Sequence, residues 1–301
     1  MKIVRCFLIV LALCLPHGAD AQSDAGAVPP ASPSIIDGAE RHTLRASRTG
    51  IAYQIDIVRV ESTLVPQPAG YRLPVIYVLD GNGLFPLVAQ ISSSMVAFGR
   101  LPAALVVSIG YPVDPALPWA ENFKNRLALR TRDLTPATAA AQAGETGGAT
   151  QFLAFIEQDL KPFVASRHAV DGSDQTLAGH SFGGLFAAWV LLNAPDAFSR
   201  YVLSSPSLFW NDNASITQAG TFAGRPAGPA RVFVSVGELE TKERVSQDMI
   251  GVARAFAETL KRRASAGVGV EVTLQVFPGE AHISVVPGAL MRGLVEVGAL
   301  R

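Results

Sequence analysis

Apolar residues fall in two rhythms along this chain. Val75 to Leu79, Leu105 to Ile109, Tyr201 to Leu203 and Val232 to Val236 are unbroken apolar runs, the mark of strands covered on both faces. Val270 to Phe277 reads as a further strand, and the short run Gln175 to Ala178 as another. Tyr53-Gln54-Ile55-Asp56-Ile57 alternates instead, which predicts a half-buried antiparallel strand. Between these runs the spacing changes. Phe152, Phe155, Ile156, Leu160, Phe163 and Val164 recur at helical intervals, as do Met249, Val252, Ala253, Phe256 and Leu260, and Leu185 to Asn193 is a helix-forming run. Strands alternating with helices predict an α/β fold, with a mainly parallel central sheet and helices on both faces. Ligands of such folds bind at the carboxyl ends of the strands.

The rhythm is absent at the start. Lys2 and Arg5 precede an apolar stretch, Cys6 to Leu15, and Ala19-Asp20-Ala21 fits a cleavage site, so residues 1–21 read as a secretory signal. The stretch is short for a bilayer span, so export without stable membrane insertion is expected, most simply to a bacterial periplasm. Residues 22–38 are rich in Ala, Ser and Pro and read as a flexible lead-in; a single domain is expected over 39–301. Thr138 to Thr150 has few apolar anchors and reads as a mobile loop.

Composition narrows the chemistry. The chain has 301 residues, 49% of them hydrophobic, and a net charge of zero. That suffices for a sizeable core and argues against nucleic acid as a partner. Both cysteines, Cys6 and Cys14, lie in the signal, so the exported protein has neither a disulfide nor a thiol nucleophile. No metal-ligand spacing is present, and neither metal nor cofactor is expected.

Gly179-His180-Ser181-Phe182-Gly183 fits Gly-x-Ser-x-Gly, between a predicted strand and a predicted helix. A nucleophilic serine is held on such a turn, with the helix N-terminus offering N–H groups to an oxyanion. The pattern alone recurs by chance, so its partners matter. In this chain order acid and histidine follow the serine. His17, His42 and His168 precede it, and the side chain of His180 is expected to point away from the hydroxyl. Only His282 follows, in a loop after the strand ending at Phe277. The acid is expected after Val232 to Val236. Glu240, three residues past Gly237, is the first choice, Glu238 the second, and Asp212 and Asp248 more distant ones. For the oxyanion hole the expected donors are the N–H of Phe182 and the loop Asp80-Gly81-Asn82-Gly83, through Gly81 or Asn82.

Several segments then align with one family. Val78-Leu79-Asp80-Gly81-Asn82, Arg130-Thr131-Arg132-Asp133-Leu134-Thr135-Pro136, the elbow through Leu185, Ser204-Ser205-Pro206-Ser207-Leu208-Phe209-Trp210, Gly237-Glu238-Leu239-Glu240 and Gly279-Glu280-Ala281-His282 resemble the putative-esterase group of α/β-hydrolases. The likeness is to the branch with siderophore esterases that cleave enterobactin-like trilactones. It implies Ser181 as nucleophile and His282 as base, and it leaves the acid open, because some members work with a serine–histidine pair. Feruloyl and carbohydrate esterases and acyltransferases are more distant relatives, and a catalytically inactive binding protein is the rival from another class.

Substrate contacts are expected from Arg130 and Arg132, on a long loop after Leu105 to Ile109, as holders of negative charge. A salt bridge to Asp133 or helix capping is the competing reading for each arginine, and the slightly favoured one. Trp210 with Phe209, and Trp119 with Phe123, are candidates for stacking on an aromatic acyl group.

Overall fold

The computed structural model describes residues 36–62, 64, 66–138, 145–225 and 227–298. The expected signal and nearly all of the lead-in therefore lie outside the described residues, as do residues 139–144 of the expected loop.

Eight strands form one sheet: β1 (Glu40–Arg45), β2 (Ala52–Val60), β3 (Leu73–Val78), β4 (Ala104–Gly110), β5 (Val170–His180), β6 (Arg200–Ser204), β7 (Ala230–Gly237) and β8 (Val270–Phe277). Their spatial order is β1-β2-β4-β3-β5-β6-β7-β8. β2 runs antiparallel to both β1 and β4, and β3 to β8 are mutually parallel. β3, β4, β6 and β7 are largely apolar, as strands covered on both faces are. β3 and β4 are buried at every position.

β2 departs from its half-buried expectation. Gln54 and Asp56, the polar half of its alternation, are buried too. They survive there by pairing: Asp56 accepts from Arg41 Nε at 2.6 Å and from Gln54 Nε2 at 2.9 Å.

The connections are helical. α1 (Gly81–Ala97) follows β3, α2 (Trp119–Leu134) follows β4, and α5 (Phe182–Asn193) follows β5. The predicted helix around Phe152 is continuous but locally widened: α3 (Ala149–Phe155) passes through a π turn (Ile156–Leu160) into α4 (Lys161–Arg167). α6 (Trp210–Ala219) follows β6, α7 (Lys242–Val245) and α8 (Met249–Ser265) follow β7, and α9 (Val286–Gly298) follows β8. α1 and α9 touch each other and the sheet. α5, α6 and α8 form a second connected set, with α2 beside α5 and α3 beside α2. Two expected loops are helix instead. Asp80 is the cap of α1 and Gly81 its first residue, while Arg130 and Arg132 lie within α2.

Register brings the carboxyl ends level. His180 pairs with Ser204, Ser204 with Ser235, and Gly237 with Phe277. Every loop that leaves these ends opens on the same edge of the sheet.

Candidate active site

The elbow is built by close backbone approach. Ser181 has φ 58° and ψ −117°, a conformation that costs a non-glycine residue about 1–3 kcal/mol. Neighbouring bonds hold it there. Its N–H donates to Ser204 O at 2.9 Å, and its carbonyl accepts from Leu185 N at 2.9 Å and Ser207 N at 3.1 Å. Gly179 is required by space: a Cβ there would sit 2.4 Å from the Gly183 carbonyl carbon. Phe182 is the first residue of α5, so its N–H has no acceptor within the helix.

Glu240 and His282 meet although 42 residues separate them. His282 Nδ1 lies 2.6 Å from Glu240 Oε2, and the Glu240 side chain is wholly buried. The other oxygen, Oε1, accepts from Ser205 Oγ at 2.6 Å and Gly237 N at 2.7 Å. Burial alone would raise this carboxyl's pKa. The bonds from His282, Ser205 and Gly237 outweigh burial and hold it below the ordinary glutamate value. Glu240 is thus an acceptor at both oxygens, which makes His282 Nδ1 the donor of the 2.6 Å bond.

Glu238 does a different job. Its carboxylate accepts from Gly279 N at 2.8 Å and helps tie the loop after β7 to the loop after β8. Leu239 N to Glu280 O, at 2.9 Å, is a second tie. Asp248 caps α8 by accepting from Gly251 N at 2.8 Å, and Asp212 lies in a left-handed run at the start of α6.

Three hydroxyls at the end of β6 and in the loop after it, unassigned by sequence reasoning, reach the site together. Ser204 Oγ is 3.0 Å from His180 Nδ1, Ser205 Oγ serves Glu240, and Ser207 Oγ is 3.3 Å from Ser181 Oγ. The signal that could have found them is the Ser-Ser-Pro-Ser run at a strand's carboxyl end.

His180 is also closer to the chemistry than expected. Its ring lies 4.6 Å from the His282 ring, and its Nε2 is buried without a hydrogen-bond partner. Burial, reinforced by His282, lowers its pKa from 6.5 to about 3, so it is neutral at ordinary pH.

A cavity of about 600 Å³ opens beside the elbow. His180 and Ile283, the sequence neighbours of Ser181 and His282, line it, together with Asp80 and Asn82 of the β3–α1 corner. α2 contributes Trp119, Phe123, Arg126, Leu127 and Arg130. Arg126 was not singled out by the sequence. Asn82 pins the corner by its side chain: Nδ2 donates to Tyr111 O at 2.9 Å, and Tyr111 N donates to Oδ1 at 2.7 Å. Its backbone N–H and that of Gly81, both in the first turn of α1, have no acceptor within that helix.

The expected charge holders are already engaged. Arg130 donates to both oxygens of Asp80, at 2.6 and 2.9 Å, and to His180 O at 3.2 Å. Arg132 donates to both oxygens of Asp133, at 2.7 and 3.0 Å, and is not a cavity residue. Trp210 is not one either. It packs edge-on to Phe182 at 5.7 Å, and its Nε1 donates to Pro136 O at 3.2 Å. Among the described residues no group of three or more His, Cys, Asp or Glu side chains could hold a metal, and no helix is long and apolar enough to cross a membrane.

Known proteins resemble this chain in sequence and fold. The family model described as "Putative esterase" matches residues 58–282. The chain is 34% identical to the ferri-bacillibactin esterase BesA of Bacillus subtilis (strain 168), over 86% of this chain and 89% of that protein. It is 25% identical to the siderophore enterobactin esterase of Emericella nidulans, over 77% of this chain and 84% of that protein. Among solved structures, the BES protein from Bacillus cereus superposes with a TM-score of 0.76 at 29% identity, over 91% of this chain and all of that one. These likenesses, on an eight-stranded, mostly parallel sheet, make the fold an α/β-hydrolase fold, and the chain belongs to the putative esterase family.

Proposed function

We propose that this chain is a serine esterase that cleaves siderophore lactones through an acyl-enzyme. The observation that carries the proposal is the buried Glu240, bonded to His282 Nδ1 at 2.6 Å, in a chain that also holds Ser181 on a tight strand-to-helix turn. The siderophore esterases among its relatives support the substrate class.

In the proposed reaction, Ser181 Oγ attacks the ester carbonyl carbon and passes its proton to His282 Nε2. Glu240 keeps its charge and stabilises the imidazolium. The N–H groups of Phe182 and of the Gly81–Asn82 turn receive the oxyanion. As the tetrahedral intermediate collapses, the ester C–O bond breaks and His282 gives its proton to the leaving alkoxide. A water then repeats the sequence on the acyl-enzyme, releases the acid and restores Ser181. The apolar start of the chain supports export to a periplasm as the place of action.

The test is covalent labelling. A fluorophosphonate should modify the wild-type protein at Ser181, and Ser181→Ala should abolish both the label and the hydrolysis of ferric tris-catecholate trilactone. A wild-type protein that takes no label and cleaves no activated ester would overturn the esterase reading. One that cleaves aryl acetates but leaves trilactones intact would overturn the siderophore reading alone.

A further inference from the structure

The cavity wall on α2 carries an uneven pattern. Trp119, Phe123, Arg126, Leu127 and Arg130 follow one another at helical spacing and form a single stripe. Trp119 and Phe123 stack with ring centres 5.2 Å apart and planes 14° from parallel. Yet Trp119 is 73% exposed, and Ile283, beside His282 on the other wall, is equally exposed. Large side chains left open around a cavity next to a nucleophile mark a surface completed by a ligand.

The charges on this wall are not equivalent. Arg130 is engaged by Asp80 and by the His180 carbonyl. Arg126 has one long bond, 3.4 Å from its Nε to the Asn122 carbonyl of its own helix. Among the described residues no carboxylate pairs with it. Arg126 is thus a cavity-lining guanidinium with most of its donors uncommitted, one helical turn from Phe123.

We propose that Arg126 is the residue that takes the substrate's negative charge, and that the Trp119–Phe123 stack seats the aryl ring bearing it, so the site selects anionic aryl esters. The one-turn spacing fits a charge at the edge of the ring itself, as in a catecholate, better than a charge on a long tether. This rests on the esterase reading and assigns its specificity to residues that do no chemistry.

The experiment compares two trilactones with the same scissile bonds: the ferric tris-catecholate form, which is anionic, and the metal-free form with its catechol oxygens methylated, which is neutral. In the full-length protein, Arg126→Gln should raise KM for the anionic form about 10-fold more than for the neutral form, the worth of one charge-assisted contact. kcat should change less than KM. Arg126→Lys should recover part of the loss, and added salt should weaken only the wild-type preference. Trp119→Ala should raise KM for both forms. Equal KM changes for the two forms in Arg126→Gln would overturn the assignment, as would wild-type hydrolysis of 4-nitrophenyl acetate without hydrolysis of either trilactone. Loss of all ester hydrolysis in the wild type would instead sink the esterase reading beneath it.

Discussion

Glu240 and Glu238 sit two residues apart and have unrelated surroundings. One is sealed against His282, Ser205 and Gly237; the other joins two loops at the surface. Spacing from Gly237 favoured Glu240, but only geometry separates the two, because the deciding groups lie far away in the chain. Glu240→Gln replaces an all-acceptor group with one that carries an N–H donor, which mismatches His282 Nδ1–H or Ser205 Oγ–H. It should lower kcat about 10²–10⁴-fold. Glu238→Gln should cost much less. Steady-state kinetics of the two variants check this, and equal losses would mean that Glu240 does not orient the base. The strand-to-helix turn at Ser181 was legible because it is local. The serine loop was not, since what Ser204, Ser205 and Ser207 touch depends on how β6 pairs with its neighbours.

At the scale of elements, the unbroken apolar runs located β3, β4, β6 and β7, while Gln175 to Ala178 marked only the end of β5 and Val270 to Phe277 is β8. The misses were capping and connection. The Asp80 corner reads as a turn, but the chain goes directly into α1, and the stretch with Arg130 and Arg132 carries too few apolar residues to announce a helix. That helix supplies one wall of a cavity more than one face of the core. Arg130 braces three elements by holding the left-handed Asp80 before α1 and the carbonyl at the end of β5. Arg130→Met should therefore lower unfolding free energy by about 2–3 kcal/mol, the lower end for a buried ion pair since both side chains keep some solvent contact. Urea denaturation measures it. Unchanged stability with a selectively raised KM for anionic esters would recast Arg130 as a ligand contact.

For the whole molecule, the site sets how folding responds to acid. His180 binds a proton less readily folded than unfolded, so protonation below about pH 6.5 favours the unfolded chain, until the folded form too is protonated near pH 3. Glu240 acts in the same direction: its depressed folded value stabilises the protein above the unfolded glutamate pKa, and that contribution is lost as pH falls through the folded value. Stability should rise with pH across this acid range. In His180→Asn the slope of unfolding free energy between pH 6.5 and 3 should be shallower, by up to about 1.4 kcal/mol per pH unit. Parallel curves for wild type and variant would remove His180 from the account.

β8 is an outer strand of the sheet, and His282 follows it, whereas Ser181 follows β5, which has a neighbour on each side. Edge elements open at lower free energy than central ones. His282, the proposed base, is therefore expected to open at lower free energy than Ser181, the proposed nucleophile. Some molecules are then expected to keep the turn at Ser181 intact while the Glu240–His282 pair is parted. Active-site titration and initial rate then count different populations, and the gap between them widens with temperature.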